Sequence, residues 1–506
     1  MFRDVVKGVA KNTTIMLFQQ VITSGSTFVL MLFLPRYLGP VEYGRLYLAG
    51  SIAGILYVFV AYGGSYLIAK NVSRSPQSTP QLLVDGAGSR SAIALLCLAG
   101  MISFSYLVGY PWEVRQLLII YGLSLLLQGP ITTLYACYQG RELMQYTSAA
   151  AIAYVVPVTI VSIIALLMGA HAAVIAIITA AGAMLQLLVL ARFARSMVTS
   201  LPRINWGGAI QQIKEGAPYF LFTAFSVVYY RLDTVLLSKM APEAVVGWYG
   251  GARRMFESLN FLPFVFSVAI YPVLSRLWEE EKQTHKRTLQ KSLEFMIIAG
   301  VPITVGVIGF AERLIQEFYG LGGYAPSVLV LQVLAAGLLL LYIDFVLGTT
   351  LLASDKQRQQ SVLALLAIPF NAGLNFLLIP YFQVRVGNGG LGAAIATGMT
   401  ELAVMIACLS LLPKGVLRGF RVIVVAKGAF AGVLMAGSLG LMRLVGLPWL
   451  AAALASLVIY FALLFLMKTF EPAERKFLQG LLTVQGLKNL RESIHPSKSS
   501  FAQDWS

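Results

Sequence analysis

Apolar runs along the chain are broken at intervals by polar, glycine or proline positions. They predict fourteen stretches long enough to cross about 30 Å of hydrocarbon, at roughly 20 residues each. Their centres fall near residues 22, 55, 98, 126, 156, 182, 228, 258, 302, 338, 369, 400, 432 and 457. The connections are short, the longest lying around 194–216 and 275–290, which leaves no room for a folded soluble domain. The first run follows MFRDVVKGVAKNTT, outlasts a signal-peptide core and lacks a small-x-small cleavage pattern, so it reads as a retained helix.

Composition agrees with this pattern. Hydrophobic residues make up 58% of the 506 and charged residues 12%, against about half and a quarter in soluble domains. Most of the 38 Lys and Arg fall in alternate connections, among them Lys70, Arg74 and Arg90, then Arg192, Arg195, Arg203 and Lys214, then Arg276 to Lys291. Basic residues near span ends stay cytoplasmic, so both termini are expected inside. The same bias accounts for most of the net charge of +16, and no basic patch with interleaved aromatics calls for nucleic acid. Cys97, Cys137 and Cys408 sit in apolar runs, and His171, His285 and His495 have no metal-like partners. Neither a disulfide framework nor a metal site is expected.

A weak internal repeat organises the spans. LPRYLGPVEYGRLYLAGSI (34–52) slides onto LSKMAPEAVVGWYGGARRM (237–255), matching Leu34, Gly44, Ala49 and Leu56 with Leu237, Gly247, Ala252 and Leu259. Both units open a six-span block in the same direction, which makes a parallel repeat. The expected architecture is therefore an all-α integral membrane protein of about fourteen transmembrane helices. Residues 1–216 form one six-helix bundle, 217–421 a second, and 422–468 two further spans. Residues 469–506 form a cytoplasmic tail, in which Phe477, Leu481, Val484 and Leu487 share a face suited to the inner leaflet or to docking on loops.

Charges inside spans stand out because a charge at the bilayer centre costs ~2.5–3.5 kcal/mol even on the lenient insertion scale. Arg231, Asp233, Arg253, Arg254 and Glu257 lie in the second block, where the repeat offset places Phe28, Leu30, Gly50, Ser51 and Gly54 in the first. Asp344 and Glu401 add two more carboxylates. Arg253 and Glu257 are one turn apart and can form an ion pair, and Arg231 can snorkel. Glu257 is not expected to neutralise both Arg253 and Arg254. Tyr229, Tyr230 and Tyr249 suit either sugar stacking or interfacial anchoring.

The stretches NTTIMLFQQVITSGSTFVLMLFLPRYLGPVEYGRLYLAGSI (12–52) and RLDTVLLSKMAPEAVVGWYGGARRM (231–255) resemble polysaccharide-exporting flippases of the MOP (MATE-like) superfamily. The resemblance implies a Wzx-type transporter that moves an undecaprenyl-pyrophosphate-linked glycan to the outer leaflet of a bacterial inner (cytoplasmic) membrane by alternating access. It further implies work beside a polysaccharide polymerase and its assembly machinery. In that frame Arg231, Arg253 and Arg254 are pyrophosphate-binding candidates, guanidinium matching phosphate oxygens by its planar fork. Asp233, Glu257, Asp344 and Glu401 are candidates for Na⁺ or H⁺ coupling, or partners of the arginines, and no other cofactor is expected. A lipid II flippase and a cation-coupled multidrug antiporter of the same fold are the alternatives, the antiporter disfavoured by three in-span arginines. A membrane glycosyltransferase is disfavoured by short loops without a His/Asp/Glu cluster.

Overall fold

The computed structural model describes residues 2–195, 202–413 and 415–472, with all their side chains except those of residues 2–10, 218, 219 and 222. The face proposed on Phe477 to Leu487 lies outside the described residues. Every regular element is helical: α1 (Phe2–Ala61), α2 (Gly64–Arg74), α3 (Thr79–Leu107), α4 (Trp112–Gly140), α5 (Met144–Leu167), α6 (Ala172–Ala194), α7 (Trp206–Met240), α8 (Glu243–Ser258), α9 (Phe261–Glu280), α10 (Lys282–Phe318), α11 (Leu321–Ala336), α12 (Leu338–Ala353), α13 (Gln357–Val386), α14 (Gly389–Leu411), α15 (Val422–Leu444) and α16 (Trp449–Leu466), with a short 3₁₀ turn at Pro76–Ser78.

Twelve helical stretches among the described residues are long and apolar enough to cross a membrane. The first, Lys11–Arg74, runs 64 residues, enough for two crossings, and α1 is bent within it. Gly39 takes φ 72 and ψ 171 there, between Pro35 and Pro40. A residue with a Cβ resists positive φ, and the prolines withhold two helical donors, so the chain turns where the sequence reads LPRYLGP. With the bend in α1 and the 35 residues of α7, the long helices provide between twelve and fourteen crossings, against the fourteen expected from the apolar pattern.

Three expectations change. The predicted spans centred near 258 and 338 are each two helices. One breaks at Leu259–Asn260, where the Tyr342 hydroxyl donates to the freed Leu259 carbonyl at 2.8 Å, and the other at Gly337. The stretch 275–290, read as a long connection, is helical on both sides of Glu281. Its charges mark helix extended beyond the apolar segment.

The chain forms two compact units, Met1–Leu289 with Phe310–Val416, and Gln290–Gly309 with Leu417–Ser506. In the smaller one, the Tyr460 hydroxyl donates to the Ile298 carbonyl at 3.0 Å. Lys291 and Arg421 both reach Glu294 and Glu471, tying α10, α15 and the end of α16 together. In the larger one, α1 packs against α4, α5, α7 and α8, while α14 packs on α11, α12 and α13. Gly44 of α1 and Gly247 of α8, matched by the repeat, cross face to face. A Cβ on Gly44 would overlap the Glu243 carbonyl oxygen, and one on Gly247 the Pro40 carbonyl oxygen. Small residues allow this backbone approach. Arg45 clasps the crossing, reaching Glu243 at 2.7 Å and Glu42 at 2.9 Å.

Candidate functional site

Arg231 stands apart, and the other six of the seven in-span charges of α7, α8, α12 and α14 fall into two groups. The first centres on Arg253, which is 2% exposed. Its Nη1 lies 3.8 Å from Asp233 Oδ2 and its Nε 3.4 Å from Glu257 Oε1. Asp233 is held on all sides. It accepts from the Thr234 backbone N–H at 2.8 Å, from the Thr397 hydroxyl at 3.4 Å and from the Tyr249 hydroxyl. Tyr249 is thereby fully buried and unavailable for stacking on a sugar.

Glu257 also reaches Arg254, whose Nη1 lies 3.7 Å from Oε2. The expectation that one carboxylate would leave Arg254 unpartnered is corrected, because the successive arginines straddle Glu257 one turn on. Exposure still separates them. The Arg253 side chain is 3% exposed and that of Arg254 38%, so Arg254 has donors to spare for a ligand.

Arg231 has no ion pair among the described residues. It turns toward α1, where a Cβ on Gly54 would lie 4.0 Å from its Nε. Tyr43 of α1 lies within electrostatic reach of Arg254, Glu257 and Arg231, Tyr47 within reach of Glu257, Arg231 and Arg253, and Tyr121 of α4 within reach of Arg254. The cations of α7 and α8 therefore act electrostatically on aromatic residues of α1 and α4, and the Tyr47 ring packs against Gly250 of α8. Single-span reading missed these tyrosines because aromatic residues in apolar runs look like ordinary packing.

The second group joins Asp344 of α12 and Glu401 of α14, close enough to interact. Glu401 Oε1 accepts from the Tyr229 hydroxyl at 2.8 Å. Both carboxylate oxygens of Asp344 are buried and accept no hydrogen bond, and no basic side chain pairs with it among the described residues. Two neighbouring buried carboxylates disfavour double ionisation. The arrangement suits one shared proton or a small cation. Asp233, by contrast, already has its cation in Arg253.

Arg90 also departs from expectation. The basic-residue pattern places it in a cytoplasmic connection, but it lies inside α3 and is 0% exposed. Its donors go to Thr133 at 2.9 Å, Thr132 at 3.3 Å and Ser65 at 3.1 Å, all hydroxyls. A basic residue among Gly, Ser and Ala reads as a span edge until α2 and α4 close around it.

The helix order and the bent α1 give the fold seen in MOP-type, MATE-like, multi-pass membrane proteins. The folded chain superposes on a lipid II flippase MurJ in an inward closed conformation with TM-score 0.71 and 15% identity, covering 90% of this chain and 98% of that one. On an inward-facing multidrug resistance MATE family transporter of the MOP superfamily it does so with TM-score 0.61 and 12% identity, covering 83% and 95%. The chain belongs to the polysaccharide biosynthesis protein family, whose model matches residues 9–278. It is also 20% identical over 401 residues to the capsular polysaccharide biosynthesis protein CapF of Staphylococcus aureus, covering 78% of this chain and 97% of that protein.

Proposed function

We propose that this protein moves a polyprenyl-pyrophosphate-linked saccharide from the inner to the outer leaflet of a bacterial cytoplasmic membrane. The observation that carries the reading is the trio of cations Arg231, Arg253 and Arg254 on α7 and α8, of which Arg254 is 38% exposed and Arg231 has no ion pair among the described residues. Pyrophosphate calls for guanidinium donors. Arg231 and Arg254 make the direct contacts in this scheme, and Arg253 positions Glu257 and Asp233.

Residues 1–216 and 217–421 act as two six-helix bundles that rock about the site, with 422–468 as accessory spans and both termini cytoplasmic. The Gly44–Gly247 crossing and its Arg45–Glu243 clasp close one end, and opening that end requires the clasp to break. Asp344 and Glu401 take the coupling Na⁺ or H⁺, since Asp233 and Glu257 are occupied by arginines.

The family and the CapF likeness favour a surface-polysaccharide repeat unit as cargo. The fold likeness to a lipid II flippase favours lipid II as a second reading. Both share the pyrophosphate chemistry. Liposomes containing the purified protein and offered a polyprenyl-pyrophosphate oligosaccharide, lipid II or a cationic dye decide between them. Flipping of neither lipid, with export of the dye, refutes the proposal.

A further inference from the structure

We propose a second anion site, built from the Arg90 guanidinium and the N-terminus of α2, that receives a pyrophosphate-class group when α7 draws away from it. The proposal rests on the pyrophosphate reading above, which supplies the anion.

Arg90 and the start of α2 bring positive charge to one place from two sources. α2 runs eleven residues from Gly64, and no side chain caps its start. The first turn of a helix carries unpaired N–H groups and the positive end of the dipole, which together favour anions. Ser65, in that first turn, accepts from Arg90 Nη2 at 3.1 Å, so the guanidinium touches the helix start. Arg90 is fully buried, and its Nε has no acceptor.

No carboxylate pairs with this charge among the described residues. Arg90 donates to Ser65, Thr132 and Thr133, the Tyr62 ring lies 5.1 Å from its Cζ, and Tyr57 and Cys137 lie within electrostatic reach. Asp85, on the same helix, is spent on the Asn205 backbone N–H at 2.7 Å and on Gln81 at 2.8 Å. A permanently charged group buried without a counter-ion is costly. A ligand supplying the missing anion in another conformation explains why it is kept, and the hydroxyl-lined surround suits phosphate oxygens.

The structure also shows what covers the site. Gly216 of α7 presses on the break between α1 and α2, and a Cβ there would lie 2.7 Å from the Tyr62 carbonyl oxygen and 3.3 Å from the Gly64 nitrogen. Tyr62 itself takes φ 34, a strained value for a side-chain-bearing residue. Separation of α7 from α2 uncovers the helix start and frees the Tyr62 ring that lies between Gly216 and the guanidinium. Arg90 then offers a stop for the headgroup distinct from Arg231 and Arg254.

The test measures binding of inorganic pyrophosphate and of a short polyprenyl pyrophosphate to the full chain in nanodiscs. The variants are Arg254→Ala, Arg254→Ala with Arg90→Lys, and Arg254→Ala with Gly216→Ala. Arg254→Ala should leave a residual binding component. Arg90→Lys, which keeps the charge but loses the fork, should weaken that component at least tenfold, and Gly216→Ala, which wedges the cover open, should strengthen it. Residual binding of both probes assigns the site to the phosphate group, and of the lipid alone to a membrane-held headgroup. No residual component, or one indifferent to both Arg90→Lys and Gly216→Ala, overturns the proposal and leaves Arg90 a fold residue. Failure of the central reading shows separately, as unchanged binding and transport in Arg254→Ala by itself.

Discussion

Arg253 and Arg254 are adjacent in sequence, share Glu257 as a partner, and should nonetheless fail in opposite ways when truncated. Arg253→Ala strands Asp233, whose side chain is 3% exposed, beside Tyr249, Thr397 and a backbone N–H. Breaking a buried pair by removing one partner costs about 3–5 kcal/mol. Part of that loss should return on adding Asp233→Asn, which removes the stranded charge. Glu257→Gln should return less, because Glu257 is 26% exposed and water can solvate it. Arg254→Ala gives up one single-contact pair at 3.7 Å on a side chain 38% exposed, worth under about 1 kcal/mol once solvent screening is counted. If Arg254 donates to pyrophosphate, however, a lost charge-assisted hydrogen bond of about 1.5–3 kcal/mol lowers flipping by roughly 10- to 150-fold. Thermal or denaturant midpoints of purified protein, measured beside a liposome flipping assay, read both quantities. An Arg254→Ala protein that flips at the wild-type rate, or an Arg253→Ala protein with an unchanged midpoint, refutes this division of labour.

Three further outcomes are expected. Gly44→Ala or Gly247→Ala places a methyl group against a facing backbone carbonyl and should lower the melting midpoint, an overpacking cost of ~1–3 kcal/mol. Gly50→Ala, with open space around it, is the control that should not. Asp344→Asn should abolish the dependence of flipping on an imposed Na⁺ or H⁺ gradient while leaving the midpoint within error, and gradient-driven flipping at the wild-type rate would exclude Asp344 as the coupling group. Beyond the last span, hydrogen bonds and charge from Lys291 and then Arg421 hold the Glu471 carboxyl below its ordinary value of 4.5. The stability from that contact is present above this pH and lost as pH falls through the lowered value. Hydrogen exchange around residues 469–471 should rise in that acid range in the wild type, and at neutral pH already in Glu471→Gln.

The sequence by itself determined the solvent and the element type. Apolar runs of membrane-spanning length can satisfy their backbone only as helices in lipid, so the helical class and the rough position of the spans could be read directly, while the breaks near 258 and 338 could not. It also marked the expensive residues, since a charge such as Arg253 or Asp344 within such a run is visible without any structure. What it did not fix was which of those charges neutralise one another. Arg253 and Glu257 are one turn apart and their pairing was legible. Asp233 lies twenty residues from Arg253 on another helix, and Asp344 meets Glu401 from more than fifty residues away. These distances are set by how α7, α8, α12 and α14 pack. The same packing turned Arg90 from a span-edge residue into a fully buried one, and brought two glycines matched by a sequence repeat into mutual contact. Burial and counter-ions are properties of the space between helices, and lipid-facing and helix-facing residues are equally apolar in sequence. Tertiary structure therefore decided which in-span cations of this protein are neutralised and which retain donors for a ligand.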